Sequence, residues 1–330
     1  MKVTNLVSYG LAHAVVDASC AAILFSFLSY SSFLYLVILY SLLAFALQPI
    51  FGLIIDKLKV PRFSAILGVA LVGLAIIFSG FPQFAIVLAG LGNAIFHVGG
   101  GTISLNLTPK KATAPGIFVA PGALGLFVGT IIGKLGYFVK WEFILLIIFI
   151  CIILFFTKIP KINYKQEKAK TNYFELILLL LLVSIVIRSF IGLVLVFPWK
   201  TQLVLAVILT LSVVLGKAFG GILADKFGFK KIAVISLILS APLLAFSTNN
   251  VVLAILAIFL FNITMPITLV AISNILPGRP GFAFGLTCLA LIIGTILVYF
   301  GAGAVASNFF IFVIIIISAL SIYLALKLTK

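Results

Sequence analysis

Long apolar segments follow one another along the whole chain, and only short polar stretches interrupt them. A helix that crosses a bilayer needs about 20 apolar residues, so 330 residues leave room for at most about a dozen crossings. The pattern predicts helices at residues 4–28, 32–55, 63–80, 83–107, 115–134, 141–157, 175–197, 201–222, 231–247, 250–274, 281–303 and 307–326. The sequence therefore predicts an all-α membrane protein with twelve transmembrane helices.

Composition agrees with this pattern. The chain is 64% hydrophobic and only 8% charged, whereas a soluble domain carries about 25% charged residues, so a water-soluble fold is excluded. The cysteines Cys20, Cys151 and Cys288 lie inside apolar runs without paired spacing, and we interpret them as small buried hydrophobic residues. The sequence predicts neither a disulfide nor a metal site, and no cofactor.

The formal net charge of +16 arises mainly from lysines and arginines in every second predicted connection and at the two ends of the chain. Basic residues near helix ends stay on the cytoplasmic side, so both termini are predicted to be cytoplasmic and the protein to be a multi-pass protein of the inner cell membrane. On this interpretation the charge sets topology and contacts membrane lipid, and nucleic acid is not a partner.

The two halves of the chain resemble each other. Three pairs of segments match in the same order at offsets of 165 to 169 residues: Gly52 to Lys57 with Gly221 to Lys226, Asn106 to Pro109 with Asn274 to Pro277, and Pro115-Gly116 with Pro280-Gly281. Each copy holds six helices, so both copies have the same orientation in the membrane. The predicted division is a six-helix bundle at 1–157, a basic cytoplasmic linker at 158–174 and a second bundle at 175–330.

The repeated Gly-x-x-x-Asp segment places Asp56 and Asp225 near predicted helix ends. A carboxylate there can accept backbone N–H bonds at the N-terminus of a neighbouring helix, where the helix dipole favours it. We predict a cytoplasmic latch that closes in one conformation and opens in another; the simpler alternative is an Asp that only caps a helix. The latch residues are Gly52, Asp56, Gly221, Asp225, Lys226, Gly228, Lys230, Lys231 and Arg279.

The segment Gly220-Gly-Ile-Leu-Ala-Asp225-Lys-Phe-Gly228-Phe-Lys-Lys231 resembles the loop motif of the major facilitator superfamily. Further segments resemble its fosmidomycin-resistance branch of efflux proteins: His13-x-x-x-Asp17, Phe96-His97-x-Gly-Gly100, Arg188-Ser189 and Leu276-Pro-Gly-Arg279-Pro-Gly281. The resemblance implies a secondary transporter, and the branch implies export.

Three features depart from the family pattern. Pro61 stands where the second loop has a glycine, and helix 1 lacks prolines after its His–Asp pair. In helix 5 the sequence Ala120-Pro-Gly-Ala-Leu-Gly125 replaces the Gly-Pro element associated with antiport. Import is therefore an open alternative to export.

Few polar residues lie deep in the predicted helices. Asp17 and Arg188 lie about 20 Å from the cytoplasmic side, at equal depth in the first helices of the two halves. An unpaired charge at that depth is costly, so each must face a partner or an aqueous cavity. Other polar residues are predicted to contribute, three of them in the i,i+4 pairs His13–Asp17 and Asn93–His97: His13, His97, Asn93, Asn262 and Gln48.

The functional hypothesis is a central cavity in which Asp17, with His13, takes and releases a proton. Arg188 is predicted to hold an anionic group of the substrate, with His97, Asn93, Asn262 and Gln48 contributing to binding. The structural alternative is a permanent Asp17–Arg188 bridge with packing histidines.

The sequence thus predicts a proton-coupled exporter of a small anionic or amphiphilic compound, acting as a monomer through alternating access of two bundles. The alternatives are a proton- or ion-linked importer of a small anion or nutrient, and a non-transporting receptor or assembly protein on the same fold. No phosphate loop and no Ser–His–Asp cluster is present, so an enzyme is not predicted.

Overall fold

The computed structural model describes residues 2–166 and 172–329, which form twelve helical segments joined by short connections. These are α1 (Lys2–Ser26), α2 (Phe33–Leu58), α3 (Pro61–Ile77), α4 (Pro82–Leu107), α5 (Thr113–Lys134), α6 (Lys140–Phe156), α7 (Phe174–Val194), α8 (Leu203–Phe227), α9 (Phe229–Phe246), α10 (Val251–Ile275), α11 (Pro280–Tyr299) and α12 (Asn308–Leu328). Ten of them are long and apolar enough to cross a membrane, and α3 and α6 have 17 residues each. The twelve-helix membrane fold is confirmed.

The helix ends lie within a few residues of the predicted ones, and the largest difference is in α8. The polar Asp-Lys pair suggested a loop from residue 223 onward, but α8 continues to Phe227 and α9 begins at Phe229. The single residue between them, Gly228, has φ +95°, a conformation that residues with a Cβ rarely adopt. Asp225 therefore lies in the last turn of α8 and not in a loop.

Proline interrupts two of the long helices. In α10 a break at Ile263 separates Val251–Asn262 from Thr264–Ile275, because Pro266 has no N–H for the carbonyl of Asn262. In α2 a π-helical turn at Leu42–Ala46 precedes Gln48–Leu58, whose second residue is Pro49. A polar side chain lies next to each break, Gln48 in α2 and Asn262 in α10.

The first compact unit comprises Met1–Pro109, Phe118–Lys165 and Gly278–Gly285. Within it α3 packs against α4 and α6, and α1 packs against α4 and α6. The second unit comprises Lys110–Ile117, Gln166–Pro277 and Leu286–Lys330. Within it α9 packs against α10 and α12, and α7 packs against α10 and α12. The packing partners of the first unit thus recur in the second, as a duplication requires.

The predicted division at 1–157, 158–174 and 175–330 stays a prediction. The start of α5, within Lys110–Ile117, belongs to the second unit, and the start of α11, within Gly278–Gly285, belongs to the first. Residues 167–171 of the predicted linker lie outside the described residues. In the described part, Tyr164 is buried at its hydroxyl, and burial together with the nearby charge of Asp56 raises the pKa of this tyrosine.

In unit 1, α1 and α5 approach each other along a seam of small residues. A Cβ at Gly125, Gly129 or Gly133 of α5 would overlap the backbone of α1 at Ala14, Ala18 or Ala22. Small residues let helix backbones come this close, and van der Waals contact then holds the pair without large side chains. The seam fixes the position of α1, the helix that carries His13 and Asp17.

Candidate functional site

Two membrane helices of unit 1 bring four of the predicted site residues together. His13 and Asp17 lie one turn apart on α1, and Asn93 and His97 lie one turn apart on α4. The imidazole Nε2 atoms of His13 and His97 are 2.8 Å apart. The Asp17 carboxylate lies 3.2 Å from the His13 Nε2 and 3.5 Å from the His97 Nε2. We call His13, Asp17 and His97 the His–Asp cluster.

Backbone carbonyls fix the tautomers of both histidines. The His13 Nδ1 lies 2.8 Å from the carbonyl oxygen of Phe118, and the His97 Nδ1 lies 2.8 Å from that of Asn93. A carbonyl oxygen can only accept, so both Nδ1 atoms carry hydrogen and donate it. The two Nε2 atoms therefore face each other as the atoms that gain or lose a proton.

A distance of 2.8 Å between the two Nε2 atoms requires a hydrogen between them. If both imidazoles were neutral, two bare lone pairs would point at each other and repel. One proton shared by the pair converts this repulsion into a charge-assisted hydrogen bond. The pair then carries one positive charge, and the adjacent Asp17 carboxylate balances it.

The Asp17 carboxylate is only partly exposed and has a further polar partner in Asn93. The Asp17 side chain is 18% exposed, and His13 and His97 are buried. The Asn93 amide donates to the Asp17 Oδ1 at 3.1 Å. Asp17 lies 15 residues from the first residue of α1, about 22 Å along the helix, so the cluster lies deep in the membrane.

Helix α5 closes one side of the His–Asp cluster with backbone. A Cβ added at Gly122 would lie 2.6 Å from the Asp17 Oδ2 and would also overlap the His13 ring. The carbonyl of Phe118, one turn before Gly122 on the same helix, accepts from His13. Helix α5 thus supplies both an acceptor, at Phe118, and the space that the cluster occupies, at Gly122.

Arg188 lies in unit 2, on α7, and it is only 8% exposed. Its two terminal nitrogens donate to the hydroxyls of Thr264 at 2.6 Å and Thr268 at 2.8 Å. Within the described residues its Nε has no hydrogen-bond partner. Both hydroxyls are neutral, so within unit 2 the bonded partners of this buried cation do not compensate its charge. The predicted meeting of Asp17 with Arg188 stays a prediction.

The two other polar residues predicted for substrate binding bond mainly within their own helices. The Asn262 amide donates to the carbonyl of Ile258 at 2.9 Å, next to the break in α10. Gln48 is fully buried in α2 and donates to the carbonyl of Ala44 at 2.7 Å, while its Oε1 has no partner in the described part of the chain. Their part in substrate binding stays a prediction.

The first-half carboxylate of the predicted latch caps α11. Asp56 accepts from the backbone N–H of Gly281 and of Phe282, both at 2.9 Å, and Arg279 adds a favourable charge. A Cβ at Gly52 would overlap the carbonyl of Gly281, so this glycine allows α11 to begin against α2. All of these residues belong to unit 1.

The second-half carboxylate caps α5 in the same way. Asp225 accepts from the backbone N–H of Ala112 at 2.7 Å and of Thr113 at 2.9 Å, and from the Thr113 hydroxyl at 2.5 Å. A Cβ at Gly221 would overlap the carbonyl of Ala112. The expected bonds from a neighbouring helix N-terminus are thus present at both carboxylates. Their action as a latch stays a prediction.

The basic residues of the predicted latch have other neighbours. Lys226 lies over the ring of Phe227 and Lys230 over that of Tyr323, with the ammonium 5.1 Å and 5.4 Å from the ring centroids. Lys231 is exposed. These positions suit contact with lipid headgroups better than contact with the capping carboxylates.

The sequence prediction missed four participants: the Phe118 carbonyl, Gly122, Thr264 and Thr268. Threonines in membrane helices commonly bond their own backbone, and Thr268 also donates to the Thr264 carbonyl at 3.2 Å. The i,i+4 spacing of Thr264 and Thr268, directly after the break at Ile263, is the signal that was available.

Comparisons with known proteins find solved structures of the same fold but no match by sequence. No protein-family model matches the chain, and no curated protein matches its sequence. Among solved structures, a variant of the E. coli fucose:proton symporter FucP is similar with a TM-score of 0.73 at 13% identity, over 99% of this chain and 98% of that one. The human organic anion transporter MFSD10 (TETRAN) is similar with a TM-score of 0.73 at 13% identity, over 100% and 99%. A bacterial homologue of the iron transporter ferroportin gives 0.61 at 16% identity, over 99% and 98%.

These similarities establish that the chain has the fold of major facilitator superfamily transporters. Identities this low show the fold alone.

Proposed function

We propose that this protein is a proton-coupled secondary transporter of the inner cell membrane that exports a small anionic or amphiphilic compound by alternating access. One observation carries the proposal: two buried imidazoles lie 2.8 Å apart at Nε2 beside a carboxylate, deep in a membrane protein. This arrangement holds one proton, and its geometry depends on that proton.

The proton couples charge to shape at the His–Asp cluster. With the shared proton, the cluster is neutral and compact, since one imidazolium balances the Asp17 carboxylate. Without it, two lone pairs and a carboxylate face one another, and the residues must separate or admit water. Uptake and release of one proton thus alternates the cluster between these two arrangements.

Arg188 supports an anionic substrate. A buried guanidinium needs a negative partner or a polar cavity, and its bonded partners within unit 2 are two neutral hydroxyls. Arginine binds carboxylate and phosphate-like groups through two parallel N–H bonds, so a small organic oxyanion fits this position best.

The two capping carboxylates support alternating access. Asp56 holds the first turn of α11, and Asp225 holds the first turn of α5, each through backbone N–H groups. In the proposed cycle these caps form in one conformation and break in the other. A cap contributes about 1 kcal/mol, which suits a contact that must be broken repeatedly.

Two of the similar structures agree with parts of this proposal, since one is that of a fucose:proton symporter and the other that of an organic anion transporter. The symporter also favours the second candidate, a proton-linked importer of a small anion or nutrient. The resemblance of His13-x-x-x-Asp17 and Phe96-His97 to the fosmidomycin-resistance branch favours export.

The proposal is tested with purified protein in two steps. Thermal unfolding is first measured with a collection of small carboxylates, sulfonates and phosphonates, comparing wild type with Arg188→Gln and Arg188→Lys. We expect stabilisation of wild type by some of these anions, less with the lysine variant and none with the glutamine variant. A stabilising anion is then tested in liposomes that contain a pH-sensitive dye.

Substrate movement accompanied by proton movement in the opposite direction supports export, and movement in the same direction supports the importer. Substrate flux that leaves the internal pH unchanged contradicts proton coupling. Stabilisation that survives Arg188→Gln contradicts the proposed anion site.

A further inference from the structure

We propose that His13, Asp17 and His97 also bind one divalent transition-metal ion, in the place of the shared proton. The three residues offer two imidazole nitrogens and a carboxylate oxygen, and these ligand atoms all lie within 4.8 Å of one another. Two histidines with one carboxylate, and open positions beside them, are a ligand set that iron, cobalt, nickel and zinc accept.

The distances fit such an ion closely. Four tetrahedral ligands at about 2.0–2.1 Å from a metal lie about 3.3 Å from one another, and neighbouring ligands of an octahedral ion lie about 3.0 Å apart. The His13 Nε2 lies 3.2 Å from the Asp17 Oδ2, the His97 Nε2 lies 3.5 Å from the Asp17 Oδ1, and the two Nε2 atoms lie 2.8 Å apart, so each oxygen of the carboxylate faces one imidazole. An opening of the two rings by a few tenths of an ångström completes the geometry.

The second layer of contacts is also that of a metal site. Histidines that bind metals through Nε2 usually donate the Nδ1 hydrogen to a carbonyl or carboxylate, which fixes the ring and its tautomer. His13 donates to the Phe118 carbonyl and His97 to the Asn93 carbonyl, both at 2.8 Å. Asn93 in turn orients the Asp17 carboxylate. These hydrogen bonds therefore orient all three side chains as metal ligands.

The exchange balances in protons and charge. With its shared proton the cluster is neutral; a divalent ion displaces that one proton and leaves a net charge of one plus. The imidazole ligands argue against magnesium and calcium, which prefer oxygen alone. Sequence spacing gave no sign of this site, because its ligands come from two helices and His97 follows Asp17 by 80 residues.

The test uses metal binding and needs no transport, so it is separate from the test of the proposed function. Purified protein without a polyhistidine tag is treated with chelator and equilibrated with Zn²⁺ or with Co²⁺ by dialysis. We expect one ion per chain, a visible Co²⁺ absorption typical of nitrogen and oxygen ligands, and little displacement by excess Mg²⁺. The chain has only two histidines, so an imidazole signal arises from this site alone.

Three variants decide the assignment. His97→Gln and Asp17→Asn should each lower the Co²⁺ affinity by about 10-fold to 100-fold. A control that replaces Cys20, Cys151 and Cys288 with serine should retain binding. Size-exclusion chromatography checks that each variant remains folded.

No stoichiometric binding of Zn²⁺ or Co²⁺ to wild type, or binding that survives His97→Gln and Asp17→Asn, overturns the inference. Neither result bears on proton coupling, which the liposome experiment measures by itself.

Discussion

The Nε2 atoms of His13 and His97 lie 2.8 Å apart, and the Nδ1 atom of each ring lies 2.8 Å from a backbone carbonyl oxygen, that of Phe118 or that of Asn93. Each imidazole donates its Nδ1 hydrogen to a backbone carbonyl. A hydrogen bond between the two Nε2 atoms therefore requires one additional proton, which the two rings share. The Asp17 carboxylate beside the pair makes the protonated form neutral. The net charge and the geometry of such a cluster therefore change when one proton binds or leaves.

The tautomers can be observed directly by nitrogen NMR. With histidine labelled at both ring nitrogens, we expect two imidazoles that are protonated at Nδ1 and one strongly hydrogen-bonded proton between the Nε2 atoms. His97→Gln should remove that proton and leave a single, ordinary imidazole. Two neutral imidazoles protonated at Nε2 in the wild type would contradict the assignment.

The glycine at position 122 should be essential because no space exists for a side chain. Gly122→Ala places a methyl group against Asp17 and His13, and overpacking of this kind costs about 1–3 kcal/mol. We expect loss of proton coupling and a lower unfolding temperature. Gly192→Ala is the matched control, since this helical glycine has open space at its Cβ position. Equal behaviour of the two variants would refute the steric argument.

The two caps should each protect a different helix start. Asp225→Ala leaves two backbone N–H groups and the Thr113 hydroxyl without their acceptor, at a cost of about 0.5–2 kcal/mol. Hydrogen exchange followed by mass spectrometry should then quicken in the peptide 110–117 and remain unchanged in 278–285.

Asp56→Ala should give the reverse result, because its partners are the N–H groups of Gly281 and Phe282. Glu175→Gln, which changes an exposed carboxylate, should affect neither peptide. Faster exchange throughout the protein in either alanine variant would indicate general destabilisation and not the loss of a cap.

A paired substitution separates a coupling role for Asp17 and Arg188 from a permanent bridge. Asp17→Asn together with Arg188→Gln removes the carboxylate and the guanidinium charge and leaves a polar amide at each position. If both residues act in coupling and substrate binding, the double variant should lose substrate-driven proton movement in liposomes while remaining folded. Transport close to the wild-type rate would favour the bridge.

The connection from α2 to α3 should gain stability from a glycine. Lys59 has φ +60°, a left-handed conformation that costs an ordinary residue about 1–2 kcal/mol. After the greater flexibility of glycine in the unfolded chain is subtracted, Lys59→Gly should stabilise by about 0.5–1 kcal/mol in chemical or thermal unfolding. Lys57→Gly, in the last turn of α2, should instead destabilise by about 1 kcal/mol.

The sequence predicted the fold well because one physical requirement dominates it. Each crossing needs an apolar run of fixed length, and twelve such runs were visible, together with a repeat at Gly52 and Gly221. The prediction is wrong at the end of α8, because the polar pair Asp225-Lys226 is typical of a loop but the helix continues until Gly228 allows a turn.

The site was only partly predictable. The i,i+4 spacing placed His13 with Asp17 and Asn93 with His97 on single helix faces, but nothing in the spacing said that these faces meet at hydrogen-bonding distance. That depends on how closely α1, α4 and α5 approach. The Thr264 and Thr268 hydroxyls were missed because the sequence does not distinguish a threonine that accepts a hydrogen bond from a neighbouring arginine from one that bonds only to the backbone of its own helix.

The glycine seam between α1 and α5 changes how a mutational survey of this protein should be interpreted. The atoms nearest to a Cβ at Gly125, Gly129 or Gly133 belong to alanines and a phenylalanine of α1, yet a methyl group at any of the three would push α1 away from α5. Survey scores at these positions will therefore resemble those of residues that handle the transported compound. Only a readout of folded yield, scored beside growth, will distinguish the scaffold from the chemistry that it carries.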